Sequence, residues 1–227
     1  MERFKQRSAS MSQSISVVIM AFNECETLEN VVNEINSELI ESLNKYEIIV
    51  IDDGSTDGTE KIADDLANKY LQVRAIHHEG NKGLGIVYIT GFINAKHEFI
   101  TFYPADGQIP ASNISRFIPL MNDYDLILGY LPDNNAPIIS KFLSIAERAL
   151  FRLAFGKLPK FQGSFMLRKK VLDEIELKSH GRSWTIVMEL IIRVLRGGYR
   201  TVSIKTEMSP RISGKSKVKN IKTISTL

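Results

Sequence analysis

Short apolar runs alternate with stretches of helical periodicity through the first half of the chain. The runs are rich in β-branched and aromatic residues, which predicts strands at residues 15–20, 46–51, 73–77 and 99–103. Apolar residues recur every three or four positions between them, which predicts helices at residues 26–43, 60–70 and 83–95. Strands that alternate with helices and are apolar on both faces indicate an α/β fold with a doubly wound, mostly parallel sheet and helices on both faces.

The second half of the chain is less regular. One further strand is predicted at residues 125–129 and one helix at residues 184–195. A chain of 227 residues is long enough for one large domain and short for two. Residues 1–13 are polar and serine-rich, so we expect a mobile leader before a single domain at residues 14–227.

Composition narrows the class of protein and its surroundings. The net charge of +3 is too small to indicate a nucleic-acid partner, but it is compatible with anionic ligands or a membrane surface. The lone Cys25 excludes an intramolecular disulfide, and the first residues lack the apolar core of a secretion signal, so we expect a cytoplasmic protein. No run approaches the roughly 20 apolar residues that cross a bilayer. Any membrane contact would therefore be peripheral.

Polar residues follow three of the predicted strands at the points where these strands end. Asn23 and Glu24 follow the first strand, Asp52 and Asp53 the second, and Asp106 the fourth. Parallel strands of a doubly wound sheet bind ligands beyond their carboxyl ends. We therefore expect these side chains to converge on one site.

The motif Asp-Asp-Gly-Ser-Thr-Asp-Gly-Thr at residues 52–59 is the most specific signal in the chain. A carboxylate at this point can accept a hydrogen bond from a nucleobase imide or a ribose hydroxyl. An acidic loop that only caps the next helix, through Thr56 or Asp57, explains the motif equally well. The motif alone leaves both interpretations open.

Four motifs in order resemble glycosyltransferase family 2. They are Ser-Val-Val-Ile-Met-Ala-Phe-Asn-Glu at residues 16–24, the acidic motif at 52–59, Asn-Lys-Gly-Leu-Gly at 81–85 followed by Gly-Phe at 91–92, and Asp-Gly-Gln at 106–108. Within the family, residues 162–168, Glu189 and the Arg-Ile-Ser-Gly-Lys-Ser-Lys segment at 211–217 resemble the dolichyl-phosphate mannose synthase branch, which makes polyprenyl-phosphate hexoses. The resemblance covers residues 15–217.

The resemblance implies an A-type glycosyltransferase fold and an inverting transfer from a nucleotide-sugar donor, with a divalent metal, Mg²⁺ or Mn²⁺. It divides the domain into a nucleotide-sugar-binding half at residues 14–130 and an acceptor-side half at 131–227. The implied donor-site residues are Phe22, Glu24, Asp53, Lys82 and Asp106. Asp106 is also the implied metal ligand and a catalytic residue, with Gln108 as a second, neutral metal ligand.

The chain departs from the family's pattern at the metal motif. The usual Asp-x-Asp is replaced by Pro104-Ala105-Asp106, so the first carboxylate is missing. Tyr130 also stands where relatives often carry an arginine after the glycine of the fifth strand. We therefore expect weaker metal binding than in the family at large, and the sugar or the acceptor can differ.

Three candidate catalytic residues lie on the acceptor side. Arg211 and Lys217 match the branch's basic motif and can bind phosphate oxygens, although a solvated basic tail also explains them. Glu189 is the candidate general base if the acceptor is a hydroxyl. A structural carboxylate paired with Arg193 or Arg196 is an equal alternative.

Residues 137–155 are strongly apolar with interspersed basic residues. They predict a basic amphipathic helix in the membrane headgroup plane, beside a polyprenyl-phosphate acceptor, or else an internal or dimer-interface helix. We interpret Cys25 as incidental, and His77 and His78 as surface side chains. The predicted function is hexose transfer to a polyprenyl phosphate on the cytoplasmic face of a membrane. A soluble transferase acting on a saccharide or protein hydroxyl, and a non-catalytic nucleotide-sugar-binding relative, remain alternatives.

Overall fold

A computed structural model describes residues 13–131, 159–161, 163–179 and 184–209. Strands in these ranges form one sheet in the order β3-β2-β1-β4-β6-β5-β7. The strands are β1 (Ser14–Ala21), β2 (Lys45–Asp52), β3 (Val73–His77), β4 (Phe99–Pro104), β5 (Leu126–Tyr130), β6 (Phe165–Arg168) and β7 (Thr201–Lys205). The helices are α1 (Leu28–Ser42), α2 (Thr59–Lys69), α3 (Leu84–Asn94), α4 (Ser112–Phe117), α5 (Lys170–Glu174) and α6 (Thr185–Arg196).

The strand order reverses beside β1. The chain passes from β1 outward to β2 and β3, and then returns with β4 to the other side of β1. Both neighbours pair with β1 in parallel, with Ala21 opposite Asp52 and Met20 opposite Pro104. Only β6 runs antiparallel to its neighbours, β4 and β5. The prediction of a doubly wound, mostly parallel sheet is confirmed.

Alternate side chains of the strands build a core on each face of the sheet. On one face, Ile15, Val17 and Ile19 of β1 pack with apolar residues of α1, α2 and α4. On the other face, Val18 and Ile49 pack with α3, α5 and α6. Burial on both faces explains why the strands are continuous apolar runs rather than alternating ones. The predicted helices on both faces are confirmed.

Charged networks tie the strands together at the amino ends. Glu47 of β2 is buried and accepts hydrogen bonds from the Ser16 hydroxyl at 2.6 Å, the Lys96 amide at 2.7 Å and Arg74 Nε at 3.0 Å. Burial alone would raise the pKa of Glu47, but these hydrogen bonds outweigh it and lower the pKa. The network joins β1, β2 and β3 to the turn before β4.

A second network at the same edge centres on Asp125, which immediately precedes β5. Its carboxylate accepts Arg168 Nε at 3.1 Å and the Arg200 amide at 3.1 Å. Arg168 also stacks over the Phe99 ring, with 4.4 Å between the guanidinium carbon and the ring centre. These contacts join β4, β5, β6 and β7.

The sequence patterns missed several elements and shifted others. Neither β6 nor β7 was predicted, and α4 and α5 were also missed. Helix α1 begins at Leu28 rather than residue 26, because the amides of Thr27 and Leu28 close a turn onto the Glu24 carbonyl. Gln13, assigned to the leader, is 4% exposed and donates to Asn122 Oδ1 at 2.7 Å. The predicted helix at 137–155 lies outside the described residues.

Helix α3 approaches the sheet most closely at Gly91. A Cβ there would lie 2.6 Å from Cε1 of Phe102, whose ring is confined by Tyr88, Phe92 and Phe165 at centroid distances of 4.6–5.6 Å. Gly91→Ala is therefore expected to destabilise the fold by about 1–3 kcal/mol despite alanine's higher helix propensity. Denaturant unfolding measures this.

Ile93→Ala is the matched control, because Ile93 lies in the same helix and is 74% exposed. Its free energy of unfolding should stay within about 0.5 kcal/mol of the wild type. Equal stability of Gly91→Ala and the wild type would contradict the close approach of helix and sheet.

Candidate active site

The carboxyl ends of β1, β2 and β4 lie side by side at the point where the strand order reverses. Beyond the strands, the amide of Asp53 donates to the Ala21 carbonyl at 2.9 Å, and the amide of Ala105 donates to the Met20 carbonyl at 3.0 Å. These bonds hold the first residues of the loops that follow β2 and β4 against the end of β1. Ligand sites of doubly wound sheets occur at this reversal.

Hydrogen bonds join the loops that follow β1 and β2. The Asn23 amide donates to Ser55 Oγ at 2.9 Å, and Asn23 Oδ1 accepts the Thr56 amide at 2.8 Å. The Glu24 amide donates to Thr59 Oγ1 at 2.9 Å. Asn23 has a φ of 54°, a left-handed conformation that asparagine tolerates better than most residues. The two motifs therefore form one structural unit.

Two carboxylates of the acidic motif are engaged within that unit. Asp52 accepts the Ser55 amide at 3.1 Å and lies 3.4 Å from His77 Nδ1. Asp57 accepts the amide and the hydroxyl of Thr59 at 3.1 and 2.6 Å, at the start of α2. Burial alone would raise the pKa of Asp57, but the bonds from Thr59 and Cys25 lower it to about 2. The Asp57 contacts agree with the helix-capping interpretation for that residue.

Cys25 carries a thiol beside this loop. The hydrogen bond with Asp57 raises the pKa of the Cys25 thiol, which reduces the fraction of reactive thiolate. The interpretation of Cys25 as incidental to catalysis agrees with this environment.

Asp53 anchors the loop that joins β3 to α3. Its carboxylate is 4% exposed and accepts three N–H groups: Lys82 amide to Oδ1 at 3.0 Å, Gly83 amide to Oδ2 at 2.9 Å, and His78 Nδ1 to Oδ1 at 2.7 Å. The Lys82 side chain itself is exposed. Asp53 thus fixes the shape of the loop between β3 and α3.

The same two loops touch at a pair of glycines. Gly54 has a φ of +72°, and a Cβ there would lie 2.4 Å from the backbone of Gly80. Only glycine satisfies both requirements at position 54. The two loops are therefore packed backbone against backbone.

Asp106 and Gln108 lie in the turn that follows β4. The Gln108 amide donates to Asp106 Oδ1 at 3.1 Å, and Gly107 between them has a φ of +72°. Both residues are half-buried. Phe22 and Glu24 are half-buried at the neighbouring end of β1, where Glu24 Oε2 accepts the Thr27 hydroxyl at 3.2 Å.

The described residues fit a divalent metal only if a ligand shares it. No group of three or more His, Cys, Asp or Glu side chains in the described ranges could hold a metal ion. Asp106 alone supplies a carboxylate in the metal motif at residues 104–106, since Pro104 replaces the other. Mg²⁺ typically takes one or two carboxylates and completes its shell with phosphate oxygens and water. The donor set therefore fits a metal shared with a nucleotide diphosphate.

Glu189 of α6 is engaged by backbone and arginine donors. It accepts the Lys178 amide at 2.9 Å, the Ser179 amide at 2.7 Å and Arg193 Nε at 2.7 Å. Burial alone would raise the pKa of Glu189, but the bonds from Ser179, Lys178 and Arg193 lower it to about 2. The contacts match the alternative of a structural carboxylate paired with Arg193.

The segment after β7 returns to the Asp106 turn. Asn113 of α4 is fully buried and exchanges two hydrogen bonds with the backbone of Glu207, at 2.9 and 3.1 Å. The Ser209 amide then donates to the Gln108 carbonyl at 2.8 Å. The chain is thus fixed beside Asp106 just before the basic motif. Arg211 and Lys217 themselves lie outside the described residues.

The interpretation of His78 as a surface residue is wrong. The side chain of His78 is 6% exposed and lies between Asp53 and Thr90, whereas the side chain of its neighbour His77 is 27% exposed. A histidine directly after a half-buried strand and 25 residues from an aspartate gives no signal of contact in the sequence alone. The contact follows from the parallel register of β2 and β3. This register places His77 opposite Asp52 and so brings His78 beside Asp53.

Comparison with known proteins identifies the family. Residues 16–176, well over half of the chain, match the protein family described as Glycosyl transferase family 2. The chain belongs to glycosyl transferase family 2. The predicted family and the glycosyltransferase class are therefore confirmed.

Among family 2 relatives, the dolichol-phosphate mannosyltransferase of Pyrococcus furiosus is 34% identical over 216 residues, covering 90% of this chain and 59% of the relative. The chain thus spans less than two thirds of that protein. The polyprenol monophosphomannose synthase of Mycolicibacterium smegmatis is 28% identical, covering 91% of this chain and 82% of the relative. Both names fall in the predicted branch.

Solved structures agree on the fold. Glucosyl-3-phosphoglycerate synthase from Mycobacterium tuberculosis, in complex with Mn²⁺, uridine diphosphate and phosphoglyceric acid, superposes with a TM-score of 0.67. The alignment has 17% identity and covers 93% of this chain and 75% of that one. This likeness confirms the A-type glycosyltransferase fold.

The contacts of Glu189 make a prediction about stability. Glu189→Ala removes the acceptor of two backbone amides and of Arg193, so it should cost about 2 kcal/mol and lower the melting temperature by roughly 4–8 °C. The lowered pKa means that this contribution is present above the pKa of an unfolded glutamate and is lost as pH falls toward about 2. Melting curves from neutral to acid pH measure both effects.

Glu176→Ala serves as the control, because the Glu176 side chain is 77% exposed and lies 3.7 Å from the exposed ammonium of Lys178. It should melt with the wild type. A Glu189→Ala variant of unchanged melting temperature would show that the carboxylate is not structural.

Proposed function

We propose that this family 2 protein transfers a hexose from a nucleotide-diphosphate sugar to a polyprenyl phosphate, with inversion at the anomeric carbon. The observation that carries the choice of acceptor is the state of Glu189. A hydroxyl acceptor needs a general base whose pKa lies near the working pH, whereas a phosphate acceptor is already ionised. Glu189 has a pKa of about 2 and is bound by three donors, which supports a phosphate acceptor.

The donor side of the proposal uses the edge formed by β1, β2 and β4. Phe22 packs against the nucleobase, and Glu24 and Asp53 accept its hydrogen bonds or those of the ribose. Lys82, whose backbone is held by Asp53, extends an exposed ammonium toward the diphosphate. The ordered loops support this assignment, because a pre-formed site loses less entropy on binding.

Asp106 would hold a divalent cation together with the donor diphosphate, and Gln108 would contribute a neutral oxygen or bind a metal-bound water. When bound, the cation neutralises charge on the departing nucleotide diphosphate. Mn²⁺ and uridine diphosphate are bound by the glucosyl-3-phosphoglycerate synthase of the same fold, which supports the assignment.

Arg211 and Lys217 would bind phosphate oxygens of the acceptor or the leaving group. The anchoring of Ser209 on the Gln108 carbonyl supports the role of Arg211, since Arg211 follows two residues later and two residues of chain reach at most about 7 Å. Arginine grips phosphate through two parallel hydrogen bonds, and lysine acts as a point charge.

The membrane part of the proposal concerns residues 137–155, as a peripheral amphipathic helix on the cytoplasmic face that would bring the lipid phosphate to the site. No helix in the described part of the chain is both long enough and apolar enough to cross a bilayer. The relatives named dolichol-phosphate mannosyltransferase and polyprenol monophosphomannose synthase support a lipid acceptor.

The direct test is transfer of labelled hexose from a set of nucleotide sugars to a polyprenyl phosphate in vesicles, with and without Mg²⁺ or Mn²⁺. We expect a lipid-linked product. Transfer to a free saccharide or protein hydroxyl instead would contradict the proposal, and tight nucleotide binding without any transfer would identify a non-catalytic relative.

Because Asp106 is the only carboxylate in the metal motif, we expect a nucleotide to increase the affinity for the metal. Manganese should bind the wild type at least tenfold more tightly when a nucleoside diphosphate is present, a difference of about 1.4 kcal/mol or more. Asp106→Asn should lose that gain while keeping its melting temperature. Electron paramagnetic resonance of free Mn²⁺ measures it.

Asp123→Asn provides the control, because Asp123 is exposed at the opposite edge of the sheet, shortly before β5. It should bind Mn²⁺ like the wild type. Full transfer activity in a chelator would sink the metal assignment.

The basic motif gives a separate kinetic prediction. Arg211→Ala and Lys217→Ala should each lower kcat/KM with a polyprenyl phosphate by about tenfold to a hundredfold, because a charge-assisted phosphate contact is worth roughly 1.5–3 kcal/mol. Their melting temperatures should barely change, since exposed charges contribute little to folding. Steady-state kinetics and melting curves test both points.

Lys222→Ala tests whether activity depends on the motif at 211–217 or on the positive charge of the whole basic stretch. Lys222 lies in the same basic stretch but beyond the motif. It should turn over normally. Equal losses in all three variants would indicate attraction to the membrane surface instead of a defined phosphate contact.

A further inference from the structure

His78 connects the end of β2 to helix α3 through both of its ring nitrogens. Nδ1 lies 2.7 Å from Asp53 Oδ1, and Nε2 lies 3.0 Å from Thr90 Oγ1 of α3. The backbone amide of His78 also donates to the Asp52 carbonyl at 2.9 Å. The imidazole is therefore fixed in position and in the plane of its ring.

The partners assign the hydrogen atoms in this chain of contacts. A carboxylate only accepts hydrogen bonds, so Nδ1 of His78 carries a proton and donates it to Asp53. In the neutral ring, Nε2 then accepts the hydroxyl hydrogen of Thr90. Asp53 thus selects the tautomer that is protonated on Nδ1, and the Thr90 hydroxyl is a compatible partner for Nε2.

The acceptor positions of Asp53 are nearly all used by the protein. A carboxylate offers about four lone-pair directions. Oδ1 receives His78 Nδ1 and the Lys82 amide, and Oδ2 receives the Gly83 amide. Among the described residues no donor occupies the second direction on Oδ2, so this is the direction that a ligand would use. Because His78 and Lys82 together saturate Oδ1, the carboxylate cannot rotate without breaking a bond.

We propose that His78 is a positioning residue for the nucleotide donor. Its ring turns Asp53 so that Oδ2 presents its remaining lone pair to an N–H of the base or an O–H of the ribose. Thr90 holds the other side of the ring in place through Nε2, which couples the donor site to helix α3. The inference rests on the proposed function, because it requires Asp53 to contact the donor.

A pair of polar substitutions separates the two ends of the imidazole. The amide nitrogen of asparagine can take the place of Nδ1, so His78→Asn keeps the donor to Asp53. The longer glutamine places its amide near Nε2, so His78→Gln keeps a polar group at Thr90 and loses that donor. Calorimetry with uridine and guanosine diphosphates, in Mg²⁺, then measures nucleotide affinity in each variant.

His78→Gln should weaken the affinity for the bound nucleotide by about tenfold, as expected for loss of one charge-assisted hydrogen bond, and His78→Asn should restore most of it. Thr90→Val should give a smaller loss than His78→Gln. In transfer assays the loss should appear in the donor KM, with kcat within about twofold of wild type, because the hydrogen bond is made to bound donor before and after the chemical step alike.

His77→Gln is the matched control. His77 is the adjacent histidine, and it contacts Asp52 and Asp64 instead of Asp53. It should bind nucleotide like the wild type even if its melting temperature falls. Melting curves of every variant show whether a loss of affinity follows a loss of folding.

Asp53→Ala distinguishes failure of this inference from failure of the donor-site assignment. If Asp53→Ala binds nucleotide normally, Asp53 is not in the donor site, and the proposed assignment falls together with the role of His78. If Asp53→Ala is impaired while His78→Gln binds like the wild type, only the positioning role is overturned. Equal impairment of His78→Asn and His78→Gln would also overturn it, because the Nδ1 donor would then be irrelevant.

Discussion

The parallel pairing of β1 with both β2 and β4 is the constraint on which the site depends. It puts Ala21 level with Asp52 and Met20 level with Pro104, so three loops start at the same height on one edge. The amides of Asp53 and Ala105 then extend the ladder by one bond on each side of β1. Phe22, Glu24, Asp53 and Asp106 inherit their positions from this register, and Lys82, which follows β3, is held in turn by Asp53.

The acidic motif shows that a carboxylate in a predicted binding motif can also stabilise the protein's own loops. Asp52 and Asp57 are engaged by neighbouring donors, and Asp53 accepts three N–H groups. Such contacts fix loops that would otherwise be ordered only on binding, which reduces the entropy lost when a ligand arrives. A single substitution at Asp53 therefore changes the shape of the site as well as one contact, and affinity must be measured beside stability.

Periodicity located β1 to β4 and α1 to α3, because β1, β2 and β4 are mostly apolar runs and a helix follows each of the first three strands. It failed for β6, whose four residues lie far along the chain from the strands they join, and for β7, which is half-buried and gives a weak alternation. At the site, the motifs located Asp53 and Asp106 at strand ends. The contacts of Glu189 with the backbone of Lys178 and Ser179 could not be predicted, since they depend on how an irregular segment packs against α6.

The networks around Glu47 and Asp125 lie at the amino edge, away from the loops that carry the candidate chemistry. Strand cohesion at that edge is supplied by Arg74 and Arg168 and does not draw on the side chains at the other end. Loops at the carboxyl edge can therefore be exchanged without loss of these stabilising contacts. Grafting residues 104–108 from a relative with two metal carboxylates is a practical route to altered metal and donor preference, since Pro104, the last residue of β4, is the only strand residue that needs to change.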